Sequence, residues 1–112
     1  MTGTPFKDGP AALVTTSEDI YVPAANTFAL VRHIHIANTN AATRAVSLWV
    51  GATGAEAAGT ALAEGVTVAA NDVKDFYFPS GLKLTATDFL VGLSTVDATS
   101  LECTVTGEIY AA

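Results

Sequence analysis

Apolar residues in this chain recur at every second position, in short runs separated by turn residues, and this spacing limits the fold more than any other feature. The closing run, residues 101–110, is the clearest case, since apolar residues alternate there with Glu and Thr. The best helical candidate, residues 54–64, contains Gly59 and offers only Leu62 as a large apolar residue, so we predict a loop. The chain is therefore predicted to be all-β.

Short β-rich runs divided by turn signals are typical of a sandwich or barrel. The candidate strands are residues 12–15, 19–22, 27–38, 45–50, 66–69, 73–78, 82–84, 89–94 and 101–110. About eight or nine strands in a chain of 112 residues favour two packed antiparallel sheets, of the jelly-roll or immunoglobulin-like kind. We predict a single domain over residues 11–112. Residues 1–10, rich in Pro, Gly and small polar residues, are predicted to form a flexible, extended arm.

The longest run is TFALVRHIHIAN, residues 27–38. Strict alternation assigns four of its residues to the core: Phe28, Leu30, Ile34 and Ile36. His33 and His35 then share the opposite face, and Arg32 interrupts the inner row. We interpret Arg32 as one partner of a structural ion pair, because its long stem can follow apolar surface to a carboxylate or a carbonyl.

Charge is scarce in this sequence: 14% of residues are charged and 50% are hydrophobic, with a formal net charge of -6. A surface so poor in charge indicates faces that are covered in an assembly. The absence of basic runs argues against nucleic-acid binding. We find neither a signal-peptide pattern at the N-terminus nor an apolar run of membrane-spanning length, and we expect a chain made in the cytosol without membrane contact.

His33 and His35 are the one arrangement that suggests a metal, since residues two apart on a strand project side by side. A metal site needs further ligands, and Cys103, the single cysteine, is expected to be a buried, inert thiol. We therefore interpret the histidine pair as a polar patch or a subunit contact, and predict no metal ligands and no cofactor.

Catalytic patterns are also missing from the sequence. No serine lies in a nucleophile elbow, and no glycine pair is followed by the Lys and Ser or Thr of a phosphate loop. The acids Asp72, Asp75, Asp88 and Asp97 fall at or near predicted turns, where Asp bonds its own backbone. We predict a non-enzymatic protein.

Aromatic residues opposite the core rows offer a second kind of site. Outward Trp and Tyr anchor protein interfaces or stack on sugar rings. Because the low charge favours covered surface, we predict an interface that comprises Phe6, Tyr21, His33, His35, Trp49, Tyr77 and Tyr110. The alternative is a carbohydrate-binding module in which Trp49 and Tyr77 form a stacking platform on one sheet.

Two segments carry a resemblance that extends over residues 19–110. The first pattern is V-P-A-x-x-T-x-x-V-R-x-I-x-I-x-N, which this chain matches with one additional residue between Thr27 and Arg32, and the second is G-L-x-L-x-A-x-D-x-L. The matching positions are Val22, Pro23, Ala24, Thr27, Leu30, Val31, Arg32, Ile34, Ile36, Asn38, Gly81, Leu82, Leu84, Ala86, Asp88 and Leu90. In these positions the chain resembles the small β-sandwich structural proteins encoded in the virion gene clusters of tailed bacteriophages.

The resemblance implies a virion part and supplies no catalytic residues. We predict a capsid decoration protein that binds the major capsid protein on the exterior of the shell as a homo-oligomer, with a trimer favoured. Residues 1–10 and the aromatic face would make the contacts. The alternative within this class is a component of the tail tube or fibre surface.

Overall fold

The computed structural model describes residues 3–13, 18–51, 59–94 and 101–112. Its strands are β1 Thr4–Ala12, β2 Glu18–Tyr21, β3 Thr27–Asn38, β4 Arg44–Gly51, β5 Gly59–Val68, β6 Val73–Thr85, β7 Phe89–Ser94 and β8 Leu101–Ala111. No helix lies in these ranges, and so none of their residues belongs to a helix that could cross a membrane. The predicted all-β class is confirmed.

The eight strands form two four-stranded antiparallel sheets that pack as a β-sandwich. The first sheet has the order β1-β8-β3-β6, and the second has the order β2-β7-β4-β5. The paired strands are β1 with β8, β2 with β7, β3 with β6 and β4 with β5, which are the pairs that one long folded hairpin would form. Successive pairs belong alternately to the first and the second sheet. Of the two predicted sandwich types, this nesting is the jelly roll.

The core lies between the sheets and is built from the inward rows of the strands. Its fully buried large side chains include Val31, Ile34, Ile36, Val46, Leu48, Leu84, Leu90, Leu101 and Val105. The alternation predicted for β4 and β8 is confirmed, because Val46 and Leu48 are buried together, as are Leu101 and Cys103. Burial raises the pKa of the Cys103 thiol to about 12, with a further contribution from the negative charge of Asp8.

A β-bulge at Arg32 divides β3 into two halves of opposite phase. The register to both neighbouring strands shifts between Val31 and His33. Before the bulge Ala29 and Val31 point inward, and after it Ile34 and Ile36 do so. The prediction that Phe28 and Leu30 belong to the core row is therefore wrong: both lie on the outer face, because one extra residue reverses the alternation.

Several strand boundaries differ from those predicted. The segment predicted as an arm is extended, but from Thr4 onward it is the edge strand β1, paired with β8. Residues 59–64, predicted as part of a loop, belong to β5 and pair with β4. Residues 54–58 of that loop lie outside the described residues. The two short strands predicted at 73–78 and 82–84 are one strand, β6.

Asn38 ends β3 and is one of two buried polar residues of the described chain. Its Nδ2 donates to the carbonyl oxygens of Ala42 and Val68 at 3.0 Å and of Ala69 at 3.2 Å. Its Oδ1 accepts from the backbone N–H of Asn40 at 2.9 Å. The side chain thus satisfies its own polar atoms while joining the end of the first sheet to β5 of the second.

Candidate functional site

The outer face of the first sheet, formed by β3, β6 and β8, carries three groups of interacting side chains. Their positions follow from the register of the strands. Tyr77 lies opposite His33 and Asp75 opposite His35, while Leu30 lies opposite Glu108 and Phe28 opposite Tyr110. Side chains directly across an antiparallel pair project to the same face and come into contact.

The first group is a cluster of His33, His35 and Asp75, which we call the His-Asp cluster. The Nε2 atom of His33 lies 2.7 Å from Asp75 Oδ1, and the Nδ1 atom of His35 lies 2.6 Å from the same oxygen. The three side chains are 27%, 37% and 28% exposed, respectively. The hydrogen bond from His35, followed by that from His33, holds the pKa of Asp75 below its usual value. Asp75 is therefore an ionised acceptor shared by two imidazoles.

Tyr77 fixes one side of this cluster. Its ring stacks on the His33 ring with centroids 4.5 Å apart and an interplanar angle of 7°. The rest of the Tyr77 side chain is open, since the residue is 67% exposed. Phe76 and Phe78 on the same strand pack against the core, as the alternation predicted. Tyr77 is thus a large aromatic group held in one orientation on an open surface.

The second group is the ion pair of Arg32 and Glu108. Arg32 Nη2 lies 3.0 Å from Glu108 Oε1, and its Nη1 donates to the carbonyl oxygen of Pro79 at 3.0 Å. The hydrogen bond with Glu108 raises the pKa of Arg32 above its usual value. Next to it Gly81 adopts a φ of 80°, a conformation open to glycine, beside the Leu30 side chain. The structural ion pair predicted for Arg32 is confirmed.

The third group surrounds Phe28, whose ring stacks on Tyr110 with centroids 5.1 Å apart. Lys83 Nζ lies 4.7 Å from the centre of the Phe28 ring, within the range of a cation–π contact. An open cleft beside this group is lined by Asn26, Thr27, Phe28, Lys83, Thr85, Ala86, Thr87 and Ala112. The two rings cover each other, which leaves a smaller aromatic surface for a ligand than two separate rings would.

The residues predicted to form one interface lie in three places. His33, His35, Tyr77 and Tyr110 share the outer face of the first sheet, whereas Trp49 lies on β4 of the second sheet. Trp49 and Tyr77 therefore cannot form one platform on a single sheet, and that part of the carbohydrate-binding alternative is wrong.

Phe6 and Tyr21 form the third place. They stack on each other at 4.7 Å and pack against the core. Tyr21 follows a register shift in β2, so strict alternation misplaced its ring on the outside. Burial, together with the charge of Asp8, raises the pKa of Tyr21.

Asp75 is the residue of this face that the sequence interpretation missed. The sequence interpretation places Asp75 among the solvated acids near turns, although the predicted strand 73–78 contains it. The signal was present in VKDFYF, where Val73, Asp75 and Tyr77 share a face opposite Phe76 and Phe78. Alternation alone does not reveal that this face adjoins the two histidines, because the pairing of β6 with β3 joins distant parts of the chain.

The fold and the outer face together define a small jelly-roll sandwich with a His-His-Asp cluster on its exterior. Neither a scan against protein-family models nor searches of curated proteins and of solved structures found a match to this chain. The resemblance to phage virion proteins therefore remains a prediction.

Proposed function

We propose that this protein is a non-enzymatic virion structural protein that decorates an assembled capsid as a homo-oligomer. The observation that carries the proposal is the outer face of the first sheet. There Tyr77 is 67% exposed yet stacked on His33, and Phe28 and Tyr110 are stacked on each other further along the same face. Side chains that are already ordered lose little entropy when a partner covers them, so such a surface favours protein contact.

The amino-acid composition and the resemblance to phage virion proteins also support this proposal. With 14% charged residues, much of the surface is neutral or apolar, which suits a chain whose faces are covered by neighbours. A protein that binds only the assembled shell stabilises that shell by mass action, without a catalytic group. The net charge of -6 suits the exterior, away from packaged phosphates.

Quantitative mass spectrometry of purified virus particles from the source of the chain tests this proposal. We expect the chain in many copies per particle, at a constant ratio to the major shell protein. Antibody labelling in the electron microscope should then mark the heads, while labelling of the tails would replace decoration of the capsid by the tail-surface alternative. Particles that lack the chain would refute the proposal.

Oligomeric state is a second, independent readout. Light scattering of the purified protein should give a closed oligomer, with a trimer of the 11.4 kDa chain favoured. Tyr77→Ser should shift the mass toward the monomer, because it removes the exposed ring without touching the core. Thr67→Ala, an exposed position on β5 of the second sheet, is the control and should leave the mass unchanged. A wild-type monomer at every concentration would contradict assembly through this face.

A further inference from the structure

Three potential ligand atoms meet at one point on the outer face of the first sheet. One ring nitrogen of His33, one ring nitrogen of His35 and a carboxylate oxygen of Asp75 all lie within 4.8 Å of one another. Both nitrogens contact the same oxygen, at 2.7 and 2.6 Å. Two imidazoles and one carboxylate are a common ligand set for transition metals in proteins, where solvent or another molecule occupies the remaining positions.

From this convergence we propose that His33, His35 and Asp75 bind one divalent transition-metal ion of the Zn²⁺ class. The inference goes beyond the proposed virion role and does not depend on it, since the site lies within a single chain. It assigns to the site three protein ligands and an open fourth position. In the isolated chain the open position faces solvent, because the three side chains are between 27% and 37% exposed.

The required rearrangement is small. Zn²⁺ binds nitrogen and carboxylate oxygen at about 2.0–2.2 Å, so tetrahedral ligands lie about 3.3 Å apart. The two nitrogen–oxygen distances of 2.7 and 2.6 Å must therefore widen by roughly 0.6 to 0.7 Å, and the two ligand nitrogens, which lie within 4.8 Å of each other, must reach the same spacing of about 3.3 Å. Small side-chain rotations supply such a movement while the strands stay paired.

The backbone and the neighbouring ring prepare the site. His33 and His35 are two residues apart on β3, and Asp75 lies directly opposite His35 on β6. Tyr77 stacks on the His33 ring at 4.5 Å and thereby restricts its rotation. The ligands are thus placed by ladder pairing and stacking on regular strands, which position side chains more precisely than loops do.

The ligand chemistry selects the class of ion. Neutral imidazole suits zinc, copper, nickel and iron, whereas Mg²⁺ and Ca²⁺ prefer sites made of oxygen alone. Each histidine now directs a ring nitrogen at Asp75. In the ion-free site these nitrogens donate N–H to the ionised Asp75. When an ion binds, each neutral imidazole carries its proton on its other nitrogen, so both rings offer a lone pair to the ion while Asp75 supplies the negative charge.

Titration of the chelator-treated protein with ZnCl₂ in a calorimeter tests the site. We expect saturable binding of one Zn²⁺ per chain. Asp75→Asn and His35→Gln should each weaken binding by more than about 100-fold, beyond what the loss of a supporting contact costs. Glu64→Gln removes an exposed carboxylate from β5 of the second sheet and should leave the affinity unchanged. Trp49 fluorescence verifies that each variant is folded.

Nitrogen NMR of the two histidines adds a readout that nonspecific surface binding would not reproduce. Zn²⁺ should shift the Nε2 resonance of His33 and the Nδ1 resonance of His35, which are the atoms that face Asp75. Failure of the wild-type chain to bind Zn²⁺ saturably would overturn the proposal. So would full affinity in Asp75→Asn, since the ion would then be held by the histidines alone.

Discussion

The inner and outer faces of β3, β6 and β8, three strands of the first sheet, hold their side chains by different means. On the inner face Val31, Ile34 and Val105 are completely buried. On the outer face the side chains are partly exposed and meet in hydrogen-bonded, ionic and stacked groups, as in the pair of Arg32 with Glu108. Packing orders the inner face, whereas specific pairs order the outer one.

Because of this difference, the stability of the fold depends mainly on the inner face, whereas the outer face is available for binding. Apolar burial contributes about 25 cal/mol per Å² and is concentrated inside, while partly exposed ion pairs contribute little. The outer face can therefore carry a metal ligand set or an interface without weakening the core. The reverse also follows, because substitutions on the outer face should alter binding more than folding.

The largest effect that distinguishes the two faces should come from paired truncations in β3. Ile34→Ala should lower the free energy of unfolding by about 2–5 kcal/mol, because it leaves a cavity in a closed core. Leu30→Ala, on the outer face before the bulge, should cost less than about 1.5 kcal/mol. Urea unfolding followed by Trp49 fluorescence measures both. Equal losses would mean that Leu30 also lies in the core and that the bulge at Arg32 does not reverse the strand.

Alternation in the sequence was sufficient to predict the class of fold and much of the core. It correctly paired Val46 with Leu48 and Leu101 with Cys103, because a side-chain period of two follows directly from strand geometry. It failed where a bulge inserts one residue. In the sequence Arg32 interrupts the apolar inner row, and that interruption marks the point where the phase reverses. A charged residue in an apolar row is thus a possible sign of a bulge as well as of an ion pair.

Only the two histidines of the His-Asp cluster could be placed together from the sequence. The two histidines are neighbours in sequence, so their shared face followed from local geometry. Asp75 reaches them only through the pairing of β3 with β6, which is decided by the whole jelly-roll topology. The same limit applies to β1, whose Pro and Gly content is typical of an arm but which pairs with β8 at the sheet edge.

A smaller effect on the inner face should appear as a pH dependence. The pKa of Cys103 is raised from 9.0 to about 12, chiefly by burial, so the folded state holds this proton more tightly than the unfolded state. The associated stability is present in full below pH 9 and is lost as the pH rises toward 12, by about 1.4 kcal/mol per pH unit. Chemical denaturation between about pH 9 and 11, with pH 8 as the reference, measures this slope. Cys103→Ala should remove it, and a variant with the wild-type slope would assign the loss to other groups.

The smallest effect should come from the ion pair on the outer face. Glu108→Gln removes the charge that lies 3.0 Å from Arg32, and we expect a fall in Tm well below that of Ile34→Ala. High salt should reduce this fall, because the pair is partly exposed to solvent and therefore screened. Glu102→Gln, on the same face of β8 but opposite Ala37, is the matched control and should change Tm less. A double-mutant cycle with Arg32→Gln isolates the coupling between the two residues. If that coupling is absent at low salt, the carbonyl of Pro79 is what positions Arg32, and the geometry of the bulge does not depend on Glu108.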